Sequence, residues 1–161
     1  MIKWDLWDSF KESMVISMIK RFVDFMRYNG EKWMTITVYI YAAYYRICLL
    51  VLKMTQMEKK MGIRGEESVS EESIETLRLA RLVSFHVNRV TQHLPLKRKC
   101  WVRALTARKI LLKHGICSTL YMGVGKENGN MVAHAWLRCG QLFVTGGNGE
   151  GYATVAKFKA F

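Results

Sequence analysis

A single proline, Pro95, occurs in 161 residues, so only one helix end is marked by a residue that cannot continue a helix. Aspartate occurs three times, as Asp5, Asp8 and Asp24, which excludes it from any site built out of the rest of the chain. The four cysteines (Cys48, Cys100, Cys117, Cys139) include no CxxC pair. A zinc site from Cys100, His114, Cys117 and Cys139 would have suitable atoms but no usual ligand spacing, so no metal or cofactor is expected. The opening MIKWDLWDSF lacks the basic start and apolar run of a cleavable signal. Scattered free thiols then fit a reduced, cytoplasmic protein. The longest apolar segment, residues 33–52, is interrupted by Arg46 and diluted by four tyrosines and two threonines. It falls short of the roughly 20 apolar residues of a span, and reads as a buried or membrane-apposed helix.

Acids are also missing locally. From Thr76 to Lys126 there are eleven Lys or Arg and no Asp or Glu, so most of the +12 net charge belongs to this one region. The aromatic-interleaved motifs of RNA and single-strand binders are absent from it, so nucleic acid is not the expected partner. A basic surface for an acidic peptide or partner protein fits, as does a solvated helix face.

What is present is half hydrophobic and long enough for one domain with a real core. Apolar residues recur at helical spacing over residues 5–28 (Leu6, Phe10, Met14, Ile16, Met18, Phe22, Phe25, Met26), ending at Asn29 and Gly30. A second helix is expected over 31–60. The polar segment GIRGEESVSEES reads as a linker, dividing a helical region, 1–65, from a mixed core, 70–161. A third helix is expected from Ser70, whose hydroxyl would cap it with Glu71, Glu72 and Glu75 in its positive first turns, to about His93. A fourth runs from Cys100 to Lys113, with Gly115 just past its end. Beyond it the period becomes extended: ICSTLYMGVG, a tight turn at Asn128-Gly129, the returning strand MVAHAWLRC, then QLFVTGG and GYATVAKF. The fold class is α+β, a helical front followed by an antiparallel sheet.

The candidate chemistry starts at KRKCWVRAL. A free thiol ionises near pH 8.5, and a helix N-terminus or nearby cations favour the thiolate. Cys100 stands at a helix start behind Lys97, Arg98 and Lys99, where the same amides can hold a developing oxyanion. Of the four histidines only His134, in VAHAWL, is flanked on both sides by alanine. Strand alternation puts His134 and Trp136 on one face and Ala133, Ala135 and Leu137 on the other, so Trp136 can shield the imidazole. Taken singly, a helix cysteine is usually a small core residue and a strand histidine is hydrogen-bonded filler. The order of cysteine-bearing helix, hairpin and histidine-bearing strand is more specific, and describes the core of papain-like and transglutaminase-like enzymes.

The runs CWVRALTARKILLKHGI, LYMGV, AHAWLR, VTGG and YATVAKF resemble the stand-alone leader peptidases of lasso-peptide biosynthesis, over about residues 75–161. The resemblance implies a transglutaminase-like fold and a bacterial cysteine peptidase that removes the leader from a ribosomally made precursor, so that a separate cyclase can use the freed core amine. It implies Cys100 as nucleophile and His134 as general base. It also implies the precursor leader, a separate leader-recognition protein and the cyclase as partners, since the helical front does not read as a three-stranded recognition module. The family's aspartate after the histidine is missing; its position falls near Thr145 or Gly146. Asn148 is the first candidate to orient the imidazole, ahead of Glu150 and the Thr145 hydroxyl, with a backbone carbonyl as a further option. Acyl transfer on the same scaffold and a non-catalytic basic adaptor are the alternatives. The methionine- and aromatic-rich residues 1–60 suit an adaptable core, a peptide groove or a membrane-surface contact.

Overall fold

In this computed structural model the described residues are 14–21, 23, 24, 27, 30–94 and 99–160. They fall in two compact units, residues 1–33 and 34–161. In the first, residues 14–21, 23, 24 and 27 are helical; the rest of the helix expected over 5–28 lies outside the described residues.

The second unit carries the sheet. Its first helix, α1 (Lys32–Val51), buries Thr35, Val38, Ala42, Tyr45 and Cys48, a stripe at the three-to-four spacing of one helix face. The helix is long and apolar enough, by length and composition, to cross a membrane. The single helix expected to residue 60 instead breaks at Leu52 and Lys53 and resumes as a short α2 (Met54–Glu58). A two-residue strand, β1 (Ile63–Arg64), follows.

Helix α3 (Ile74–Gln92) begins three residues later than expected. The cap is Ser73, whose Oγ accepts from the Thr76 amide at 3.2 Å, so only Glu75 of the three glutamates stands in the first turn. SEES offers two serines in the same setting, and the choice falls on the second because the segment before it is tied to the sheet. The α3 core stripe is Ala80, Val83, Val87 and Val90, and a hydrogen bond of 3.0 Å between Thr35 Oγ1 and the buried His86 Nδ1 joins α1 to α3.

Helix α4 (Lys99–Lys113) is buried on nearly every side, including Trp101, Val102, Ala104, Leu105, Ile110 and Leu111. It ends as expected: the Gly115 and Ile116 amides return to the Leu112 and Leu111 carbonyls, each at 3.0 Å, closing the helix with a left-handed glycine. Within it lies Arg108, only 4% exposed, which donates to the Lys60 carbonyl at 3.3 Å. Burial lowers its pKa, an effect that the neighbouring Tyr45 opposes.

Four further strands complete the sheet: β2 (Thr119–Glu127), β3 (Asn130–Cys139), β4 (Leu142–Thr145) and β5 (Ala153–Lys159). The order is β1-β5-β2-β3-β4 and each neighbouring pair is antiparallel. The β2–β3 turn is Asn128-Gly129, both at positive φ (49° and 81°), the hairpin geometry expected of that dipeptide. On β3, Ala135, Leu137 and Cys139 join Ala104, Leu105, Ile110 and Leu111 of α4 in the core.

The segment read as a linker is part of this unit. Ile63 and Arg64 pair with β5, the Ser68 amide donates to Thr119 Oγ1 at 2.8 Å, and the Glu72 amide donates to Gln141 Oε1. Glu67 lies 2.9 Å from Arg138 and 2.8 Å from Lys157. Its polar composition serves hydrogen bonds to the sheet, where a composition-based reading sees only solvent. By compactness the described residues divide at 33/34.

Candidate active site

Cys100 is the second residue of α4. Helix starts leave their first amides without intrahelical partners, and amides of that kind, beside the thiol, can meet an anion. Lys99 opens the helix; Lys97 and Arg98, the other expected sources of positive charge, lie outside the described residues. The thiol is half-buried and packs against the edge of the core.

His134 sits on β3, paired with Gly123 of β2. It is half-buried. Cys100 and His134 line one cavity of about 450 Å³, without a hydrogen bond between them. The helix start and the middle of the hairpin thus face one cavity.

The imidazole is held in two ways. Its Nε2 lies 2.7 Å from the Gly146 carbonyl oxygen. A carbonyl can only accept, so Nε2 bears the proton and, in the neutral ring, Nδ1 keeps the lone pair. Its faces are packed by aromatic rings: Tyr152 at 4.6 Å between centroids and Trp136 at 5.9 Å, with Tyr121 stacked in turn on Trp136 at 5.5 Å. His134 and Trp136 share a face, as alternation required.

The glycines around this stack are where the rings come close. A Cβ at Gly123 would meet the Trp136 indole at 2.8 Å, one at Gly149 would meet it at 2.5 Å, and one at Gly125 would meet the Tyr152 ring at 2.9 Å. Gly146 itself has φ +80°, and a Cβ there would lie 2.5 Å from the Ala135 carbonyl. Side chains at these positions would push the ring stack, and the carbonyl that orients it, out of place.

Asn148 stands elsewhere. It is exposed, and its Oδ1 accepts from the Glu150 amide at 3.1 Å, an Asx-type closure of its own turn. The Thr145 Oγ1 is buried with no hydrogen-bond partner. Of the groups considered from sequence, the backbone carbonyl is the one placed on the imidazole.

Tyr152 is the residue that sequence reasoning missed. Its hydroxyl donates to Glu127 Oε1 at 2.8 Å. That bond to Glu127 is the main reason its pKa is raised, with desolvation, the Glu127 charge and the proximity of Cys100 adding to it. The signal was present in YMGVG: two glycines alternating within a strand mark a surface against which something large lies. No group of three or more His, Cys, Asp or Glu among the described residues could hold a metal ion.

A family model described as the transglutaminase-like superfamily matches residues 47–158, more than half of the chain. Neither the curated proteins nor the solved structures gave a match.

Proposed function

This chain belongs to the transglutaminase-like superfamily, and on that footing we propose that it is a cysteine peptidase removing the leader from a ribosomally made lasso precursor peptide. The observation that carries the reading is the convergence of Cys100 and His134 on one cavity, with His134 anchored through Nε2 and its other nitrogen left as a base.

In the proposed reaction Nδ1 of His134 takes the Cys100 proton and the sulfur attacks the scissile carbonyl carbon. The main-chain amides at the start of α4 receive the oxyanion. The imidazolium gives its proton to the leaving amine, which departs as the N-terminus of the core peptide, and the leader remains as a thioester on Cys100. Water, deprotonated by His134, then attacks the thioester carbon; the leader leaves as a carboxylic acid and the thiol is restored. A positioned third group chiefly fixes tautomer and ring orientation, and the Gly146 carbonyl is suited to both tasks without carrying charge.

The partners proposed are the precursor leader, a separate recognition protein and a cyclase that uses the freed amine. Arg78, Arg81 and Arg89 are exposed at helical spacing on α3, with the Arg89 guanidinium 5.9 Å from the ring centre of the exposed Phe85. This basic, aromatic-bearing face supports docking of an acidic leader or partner. A cytoplasmic location, with membrane-surface contact through the apolar N-terminal helices, is part of the same proposal.

The test is incubation of the protein with the precursor encoded beside its gene and, in parallel, with the neighbouring recognition protein, followed by mass spectrometry. Two fragments whose masses sum to precursor plus water are expected, and Cys100→Ala should abolish them while leader binding is kept. A joined product would assign acyl transfer instead, and cleavage surviving Cys100→Ala would remove the thiol from the chemistry.

A further inference from the structure

The cavity that Cys100 and His134 share is built mainly from hydrocarbon. Leu49 of α1, Met54 of α2, Met122 and Val124 of β2, Ala133 of β3 and Val155 of β5 line it, and among the described residues no Lys, Arg, Asp or Glu does. At about 450 Å³ it is within the range of pockets that enclose a small ligand, roughly 300–1,000 Å³, and is ample for one large side chain.

We infer that this cavity is a specificity pocket for an apolar side chain on the acyl side of the bond attacked by Cys100, an inference that rests on the thiol chemistry proposed above. An aliphatic or aromatic side chain entering it gives up water for carbon contacts, and gains by doing so. An ammonium, carboxylate or carboxamide loses its water hydrogen bonds, and the described side chains of the lining are mostly hydrocarbon that cannot replace them. The site therefore selects against a glutamine carboxamide as acyl donor as well as against charge. Met54 and Met122 are unbranched and flexible, so the walls can adapt to more than one apolar shape.

The wall is completed from outside the sheet. Leu49 and Met54 come from α1 and α2, on either side of the break at Leu52 and Lys53. The kink between the two helices thus places side chains of both against the strands that carry His134.

Peptidyl chloromethyl ketones with leucine, glutamine or lysine in turn at each of the two acyl-side residues test this on the full chain. The rate of Cys100 labelling is read by peptide-mapped mass spectrometry, with iodoacetamide as the reagent without a side chain. The leucine probe is expected to react about tenfold or more faster than either polar probe at one of the two positions, the scale set by a few methylene groups in an apolar pocket. Val155→Glu, at an exposed strand position, should narrow or reverse the leucine-to-lysine ratio, with each probe's rate divided by that of iodoacetamide on the same variant so that a change in the thiol itself cancels, and Val124→Glu provides a second variant. Equal rates for the three probes, or a preference for glutamine, overturn the pocket and leave leader removal standing. Leucine-selective labelling of a protein that cleaves no precursor keeps the pocket and overturns leader removal.

Discussion

His134 donates through Nε2 to the main-chain carbonyl of Gly146 at 2.7 Å, on the strand-to-loop corner where an aspartate was expected and none is available. Gly146→Ala should lower stability by about 1–3 kcal/mol, since φ is +80° and the new Cβ would strike the Ala135 carbonyl. In protein that still folds, the rate of precursor cleavage should fall by more than tenfold. Asn148→Ala, which removes only a local turn contact, should leave the cleavage rate within a few-fold of wild type. Thermal melts and single-turnover cleavage, run on both variants, check the contrast.

Tyr152 packs one face of the same ring and is fixed by Glu127. Tyr152→Phe keeps the stack and loses the bond, whereas Tyr152→Ala loses both. Cleavage is expected to fall only a few-fold for the first and by about tenfold or more for the second, on the scale of mispositioning a catalytic group. A packing role predicts that Glu127→Gln resembles Tyr152→Phe. Equal losses for the phenylalanine and alanine variants would instead place the hydroxyl, not the ring, at the centre of the effect.

Glu67 bridges Arg138 and Lys157, and its pKa is lowered, first through the hydrogen bond from Lys157 and then through Tyr121. A carboxyl whose folded value lies below its unfolded one stabilises the fold above the unfolded value, and that contribution is lost as pH falls through the folded one. Urea melts should therefore show wild type ahead of Glu67→Gln at pH 7 by less than about 1 kcal/mol, as befits a partly exposed pair. The gap should close on acidification below the ordinary glutamate range.

At the other end of the pH scale, burial pushes the Tyr45 phenol up to about 12, with Arg108 opposing the rise. A raised value means that the stabilising difference is complete below the unfolded value, near 10, and is lost as pH rises towards the folded one. Absorbance titration at 295 nm should show one tyrosine ionising together with alkaline unfolding, and Tyr45→Phe should flatten the stability slope between about pH 10 and 12.

The positions of α4, the β2–β3 hairpin and its Asn128-Gly129 turn were legible because each rests on a local rule: three-to-four periodicity, a glycine past a helix end, a turn dipeptide. Cys100 and His134 could be singled out on the same footing, from a helix start and an alanine-flanked strand position. The orienting carbonyl could only be named as an option, since every residue has one and composition cannot say which will point inwards. Tyr152 escaped because the alternating glycines of YMGVG mark a surface on β2 that something large covers without saying which residue covers it, and the ring across Gly125 comes from just before β5. The 62–73 segment misled for a related reason: Glu67 and Ser68 are polar because their side-chain partners are Arg138, Lys157 and Thr119, all more than fifty residues away.

The anchoring of the imidazole by Gly146 has a genetic corollary. Every codon at that position still encodes a carbonyl, so no amino-acid replacement deletes the acceptor outright, and only one that bends the loop can misplace it. On the proposed chemistry, a side-chain knockout scan of this protein would consequently uncover a dyad, and the third member would stay invisible to it, written in the path of the chain and not in its alphabet.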